Sequence, residues 1–118
     1  MFKTSDIIEA LGIHEDSAAI DVLEKIGTNS NDTKVREMTV KTLIRKNTHE
    51  SLRVVLIHKG KGIHDYDATV ATTAITSLLS LEDKTEAIKI LDDTIYLHSD
   101  HEVKIKAQDV KDLIICLN

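Results

Sequence analysis

The sequence contains no proline and no tryptophan, and its aromatic residues amount to one phenylalanine and two tyrosines. Because proteins that stack nucleobases or sugars rely on aromatic platforms, this scarcity argues against such ligands. Four glycines are also too few for an all-β fold, which needs turn residues roughly every 8 to 12 positions. A single cysteine, Cys116, excludes an internal disulfide. The sequence therefore predicts an all-α fold with an aliphatic core.

Long apolar runs are missing as well. No stretch approaches the roughly 18 residues that a membrane-spanning helix requires. The first residues pass directly into an amphipathic segment without the apolar core of a signal peptide. With 118 residues, the chain has the length of one domain, and we take residues 1–118 as that domain. We expect a cytoplasmic protein that does not contact a membrane.

Short polar breaks divide the chain into segments of helical length. Each segment begins near a Ser, Thr, Asp or Asn, as helix N-caps prefer. Gly27 and Gly60 stand where a helix C-cap favours a left-handed residue. Apolar and small residues recur every four positions, as in Val35, Thr39 and Leu43, which favours helices over strands. The pattern predicts seven helices, over residues 5–11, 16–27, 32–46, 49–59, 67–81, 84–97 and 101–117.

Three of these helices share one register, and the alternate helices share another. In the first register an aspartate precedes a valine by three places, at Asp32 and Val35, Asp67 and Val70, and Asp100 and Val103. Small or apolar residues follow at the core positions: Thr39, Thr42 and Leu43, then Ala74, Ser77 and Leu78, then Ala107 and Val110, with Lys111 breaking the pattern. The alternate helices repeat Ala19-Ile20-x-x-Leu23 as Ser51-Leu52-x-x-Val55 and Ala87-Ile88-x-x-Leu91. The period of about 32 to 36 residues indicates a helical repeat architecture.

The second repeat carries the most specific resemblance. Its run Ser30-Asn-Asp-Thr-Lys-Val35-Arg36-Glu-Met-Thr39-Val-Lys-Thr42-Leu43 resembles the first-helix signature of HEAT repeats, although Thr stands where that family often has Ala. The resemblance implies a short right-handed α-solenoid of about seven helices, in three and a half HEAT-like helix pairs. It also implies a protein that holds another macromolecule, since enzymes are a minority in the family. We therefore expect a non-catalytic adaptor or regulator without a cofactor.

Charge is unevenly distributed along the chain. The formal net charge is negative at both ends and positive in the middle: −4 over residues 1–31, +5 over 32–64 and −6 over 65–118. On a helical wheel Lys34, Lys41 and Arg45 fall within about 40 degrees of one another, and Lys46 and Arg53 belong to the same basic repeat. A solvated face explains this pattern, and so does a surface for an acidic protein partner. The acidic whole chain and its few aromatics disfavour a nucleic-acid-associated accessory protein.

An uncharged stripe follows the basic repeat. No charged residue occurs from Ala68 to Leu81, in a chain with 30% charged residues. This indicates partial burial, either by a neighbouring helix or by a partner. The candidate partner-binding residues are therefore the basic set Lys34, Lys41, Arg45, Lys46 and Arg53, and the stripe Thr69, Thr72, Thr73 and Thr76.

The last predicted helix carries more apolar residues than its inner face needs. Ile105, Ile115 and Cys116 project away from that face. Since solenoid caps are usually polar outside, this indicates self-association or docking through the C-terminal helix. Cys116 itself has no matching histidine and acid in the sequence, and we expect a packed thiol.

The histidines raise the alternative of a metal-dependent enzyme. Three His-Glu dipeptides begin at His14, His49 and His101, and HEAT-like hydroxylases with a di-iron centre use such dipeptides. Here they occupy different repeat phases at helix boundaries, so capping with acidic first turns explains them, and we expect no metal site. The run from His58 to His64 resembles a phosphate loop only superficially, because the P-loop spacing and hydroxyl are missing.

Overall fold

The structure is a computed structural model in which residues 3–57 and 60–117 are described. Over those ranges it is all-helical, with seven α-helices and no strand. They are α1 (Thr4–Ile13), α2 (Ala18–Leu23), α3 (Thr33–Lys46), α4 (His49–Ile57), α5 (Ala68–Ser77), α6 (Lys84–Leu97) and α7 (His101–Leu117). Three short turns complete them: a π-helical turn over Glu24–Thr28 and 3-10 turns over Gly62–His64 and Leu78–Ser80. The predicted all-α class is confirmed.

The three repeated aspartates begin helices in the same way. A side-chain oxygen of Asp32 accepts the Lys34 N–H at 2.9 Å, and that of Asp67 accepts the Thr69 N–H at 2.8 Å. Asp100 does the same for the Glu102 N–H at 2.9 Å. Each bond satisfies one of the unpaired donors of a helix N-terminus. The repeated spacing in the sequence is thus a repeated cap.

Gly27 has a different role from the one that the sequence predicted. It does not end the helix in a left-handed conformation, because α2 continues through it as the π-helical turn. A Cβ at Gly27 would collide with the side chain of Thr39, so the missing side chain allows close approach to α3. Left-handed backbone occurs instead at Asn47, with φ 53°, and at Gly60, with φ 80°, as predicted for Gly60.

Contacts connect the odd-numbered helices in chain order, and we call this connected set the layer of odd-numbered helices. α1, α3, α5 and α7 contact one another in chain order, while α2 packs on α1, α4 on α3 and α6 on α7. Positions of the first register point into the core: Thr39, Leu43, Val70, Ala74, Leu78 and Ala107 are fully buried, and Val103 and Val110 nearly so. Lys111, the residue that broke the pattern, is half-buried and forms an ion pair with Asp92 of α6 at 2.7 Å.

The assembled helices measure 42 × 27 × 21 Å, with a radius of gyration of 13.6 Å. That radius is close to the value of about 13.5 Å expected for a compact chain of this length. In the part of the chain that the structure describes, no helix combines the length and the apolar composition needed to cross a bilayer.

Candidate protein-binding surface

Helix α3 is covered on all sides but one. Its buried side chains include Thr39, Val40, Thr42, Leu43 and Ile44. The exposed side chains Lys34, Lys41 and Arg45 share the remaining side, and we call them the cationic strip. Because α1 and α5 pack on the two flanks of α3, this strip is the part of the helix that a partner can reach.

The cationic strip carries free charge. Within residues 3–57 and 60–117, none of Lys34, Lys41 and Arg45 forms an ion pair. Glu37, one turn from Lys34 and Lys41, is half-buried and lies 3.5 Å from the Thr73 hydroxyl. An acidic group from outside can therefore approach the strip without displacing an internal partner.

The uncharged stripe lies on α5 and the turn that follows it, beside the cationic strip. We call it the threonine strip: Thr69, Thr72, Thr73 and Thr76 on α5, and Ser80 in the 3-10 turn after it. The hydroxyls of Thr72 and Thr76 donate to backbone carbonyls one turn earlier, at 2.8 and 2.9 Å. Their hydrogens are therefore used within the helix, so Thr72 and Thr76 present methyl groups and no charge to a partner. The predicted partial burial holds for Thr72 and Thr73, which are half-buried, but not for Thr69, Thr76 and Ser80, which are exposed.

The two strips occupy equivalent positions of successive repeats. If Val70 is aligned with Val35, Thr69, Thr76 and Ser80 correspond to Lys34, Lys41 and Arg45, each 35 residues earlier. All six side chains are exposed. Since α3 and α5 pack side by side, the strips form one continuous surface, which we call the odd-helix face.

The other two predicted cations lie elsewhere. The Lys46 ammonium donates to the His14 carbonyl at 2.7 Å and so binds the end of α1 to the end of α3. Arg53 lies on α4, where it lines a surface cavity of about 490 Å³ together with Asp21 and Glu50. The structure thus brings three of the five predicted cations together.

Arg36, part of the HEAT-like motif, is held in an ion pair and is not free to bind a partner. Its Nε donates to Asp65 at 2.9 Å, and its Nη1 donates to the Ser30 carbonyl at 2.8 Å. The Asp65 side chain is only 2% exposed and also accepts the Asp67 N–H at 2.9 Å. Arg36 therefore joins the turn before α3 to the turn before α5.

A pair of stacked histidines was not predicted. The rings of His64 and His98 lie 5.8 Å apart and nearly parallel, beside a surface cavity of about 450 Å³ that Tyr66 also lines. Their separation in sequence is close to the repeat period, and this is the signal that could have revealed the pair. Residues close in sequence to each histidine carry no sign of this pairing.

Hydrogen bonds determine the tautomer of the His98 ring, whereas burial mainly determines the pKa of the His64 ring. His98 Nδ1 accepts the Asp100 N–H at 3.0 Å, and Nε2 lies 3.0 Å from the Ile63 carbonyl, so a neutral ring protonated at Nε2 satisfies both. Partial burial lowers the pKa of His64, and the neighbouring His98 lowers it further, while a bond to the Leu56 carbonyl opposes the shift.

The three His-Glu pairs lie at separate helix ends. His14 follows α1, and His49 and His101 are the first residues of α4 and α7. Across the described ranges, no three His, Cys, Asp or Glu side chains are grouped so that they could hold a metal ion. Of the phosphate-loop-like run, His58 lies outside the described residues, as does Lys59 of the basic repeat.

The expectation of a packed thiol at Cys116 is wrong. Cys116 is exposed, because it lies on the opposite side of α7 from the buried Ile114.

Comparison with models of protein families, with curated proteins and with solved structures found no match for this chain. The resemblance to HEAT repeats accordingly rests on the residues quoted above and stays a prediction.

Proposed function

We propose that this protein is a non-catalytic adaptor or regulator, built as a short HEAT-like solenoid, that binds an acidic surface of a partner protein. The observation that carries the proposal is the cationic strip: three exposed cations without internal partners on the one open side of a buried helix. The layer of odd-numbered helices, with α4 packed behind α3 and α6 behind α7, supports the solenoid arrangement.

The cationic strip mainly affects which partner is recognised and how fast that partner associates. An exposed ion pair adds only about 0 to 1 kcal/mol of affinity. A local excess of positive charge in an otherwise acidic chain, however, attracts acidic surfaces over distances of about a Debye length and orients them. The cationic strip therefore selects an acidic partner, and the neighbouring contacts supply the remaining affinity.

The threonine strip indicates which type of partner side chain fits beside the partner's acidic residues. Thr72 and Thr76 have already donated their hydroxyl hydrogens to the helix backbone. A carboxylate placed over them would lose water without gaining a donor, which is unfavourable. Small apolar side chains against the threonine methyl groups fit better. The partner segment that fits this face thus combines acidic residues with small apolar ones.

Capture from a lysate of the source cells tests the proposal with three baits. The first is the wild-type protein, and the second is Lys41→Glu/Arg45→Glu. The third, Lys25→Glu/Lys89→Glu, makes the same change in net charge at exposed positions outside the odd-helix face. We expect mass spectrometry to identify an acidic protein that the first and third baits retain and the second loses.

Two results would contradict the proposal. Equal retention of every captured protein by all three baits would show that the cationic strip is not the binding surface. Nucleic acid in the retained fraction, lost on nuclease treatment together with the protein, would favour the accessory role that the acidic chain disfavours.

A further inference from the structure

The odd-helix face continues onto α7 with the opposite charge. If Val103 is aligned with Val70, the positions of Thr69, Thr76 and Ser80 correspond to Glu102, Asp109 and Leu113, each 33 residues later. The three α7 side chains are exposed, and α7 packs beside α5. We call Glu102 and Asp109 the acidic strip.

Equivalent surface positions in three adjacent helices therefore change from cationic to uncharged to acidic. The cationic strip lies on one side of the threonine strip, and the acidic strip lies on the other. Two opposite charges, Glu37 on α3 and Lys106 on α7, lie one turn from the strip residues of their own helices and are half-buried. Neighbouring helices of this kind are separated by about 8–10 Å, so the opposite strips are about 20 Å apart. That distance is too long for them to neutralise each other within one molecule.

We propose that a second copy of this chain binds the odd-helix face. The two copies are related by a two-fold axis that lies in the interface and runs along the threonine strip. The rotation places α5 on α5 of the second copy and each cationic strip on the other copy's acidic strip. This inference builds on the proposed use of the face for protein binding and names one partner for it. The acidic segment that the cationic strip attracts is then supplied by α7 of another copy.

The uncharged threonine strip suits the position on the axis. In a two-fold interface a residue near the axis meets its own counterpart, so any charge there would face a like charge. The absence of charged residues from Ala68 to Leu81 removes that repulsion. At the rim, Ile105 and Leu113 are 50% and 49% exposed and add apolar surface to the contact.

The size of the face predicts a weak dimer. The three strips each run along about three helical turns, and together they span an area of about 20 by 20 Å. This is below the roughly 800 Å² per partner of a standard stable interface. We therefore expect association at micromolar concentrations that is sensitive to salt, and an acidic partner protein competes for the same cationic strip.

Sedimentation equilibrium of the purified protein tests this inference. We expect wild type at about 100 µM to be substantially dimeric in about 20 mM salt, and at least about tenfold weaker association in about 500 mM salt. Lys41→Glu/Arg45→Glu and Glu102→Lys/Asp109→Lys should each be monomeric. The control Lys25→Glu/Lys89→Glu should associate like wild type.

Mixing the two monomeric variants gives the sharpest readout. In the mixture the reversed strip of one chain meets the reversed strip of the other, and the unchanged strips meet each other, so opposite charges face one another at both ends of the interface. We therefore expect an equimolar mixture to form a heterodimer. The fourfold variant that carries all four reversals should dimerise with itself for the same reason.

Three results would overturn the inference: a monomeric wild type at low salt, variants that associate as well as wild type, or a mixture without heterodimer. None of these would decide the proposed function, because the capture experiment detects a foreign acidic protein whether or not the chain dimerises. Thr76→Glu adds a check near the axis, where we expect it to weaken association at least about tenfold.

Discussion

The helix layer and the edge where its turns meet are held together by different kinds of contact. The layer of odd-numbered helices is packed by aliphatic and small side chains such as Leu43 and Val70. Along the edge, by contrast, polar side chains bridge successive turns: Arg36 to Asp65, and His98 to Ile63. The apolar contacts recur with the helical period, whereas each polar bridge occurs once. Repeated apolar contacts therefore hold the helices of this chain together, while single polar contacts determine how its turns join.

The largest effect is expected from a charge in the layer. Val70 is fully buried between α3 and α7, and Val70→Asp would bury a carboxylate without a partner. We expect a loss of about 4 kcal/mol or more, against a total stability of about 5–15 kcal/mol, and hence an unfolded or barely stable protein. Circular dichroism with thermal melting measures this.

Thr76→Asp is the matched control, because Thr76 is exposed on the same helix. It is better suited than Thr73→Asp, which would place a carboxylate beside Glu37. We expect Thr76→Asp to fold normally. A melting temperature for Val70→Asp within a few degrees of wild type would contradict the register on which the layer depends.

A smaller but still large effect is expected at the edge. Asp65→Ala leaves the guanidinium of Arg36, which is 18% exposed, without its carboxylate, and frees the Asp67 N–H. We expect a loss of about 3 kcal/mol in urea unfolding. Asp92→Ala breaks the Lys111 pair, whose side chains are 26% and 50% exposed, and should cost about 0.5 kcal/mol. Equal losses of stability in Asp65→Ala and Asp92→Ala would show that the Arg36–Asp65 pair stabilises the fold no more than an exposed ion pair does.

The smallest effect on stability is expected when the pH is lowered. Because the pKa of His64 is lowered in the folded protein, its contribution to stability is present above the unfolded value of 6.5 and is lost as the pH falls through the lowered pKa. Asp65 and Asp100 line the same cavity. We expect His64→Gln to lose less stability than wild type between about pH 7.5 and about pH 5.5. His101→Gln removes an exposed histidine nearby and should follow wild type. Parallel curves for wild type and His64→Gln would refute the prediction.

The sequence predicted the helices well because the spacing that indicates them is periodic. Spacing alone indicates the seven helices, the aspartate caps and the buried register. A helical wheel likewise places the three cations of α3 on one side of that helix. The edge could not be predicted in this way. Whether Arg36 reaches a partner or Asp65 depends on how a turn about 30 residues later folds back, and this is not encoded in local spacing. The role of Gly27 was missed for a similar reason, since its neighbour Thr39 lies on another helix.

The central claim is that the cationic strip recruits an acidic partner, and association kinetics test it most directly. With a partner captured by the wild-type bait, association rates are measured at low and moderate salt for wild type, for Lys41→Glu/Arg45→Glu and for Lys25→Glu/Lys89→Glu. We predict that reversing Lys41 and Arg45 slows association and flattens its salt dependence, while the control keeps both. Unchanged rates at both salt concentrations for the Lys41→Glu/Arg45→Glu variant would contradict the account and leave the cationic strip as an ordinary solvated surface.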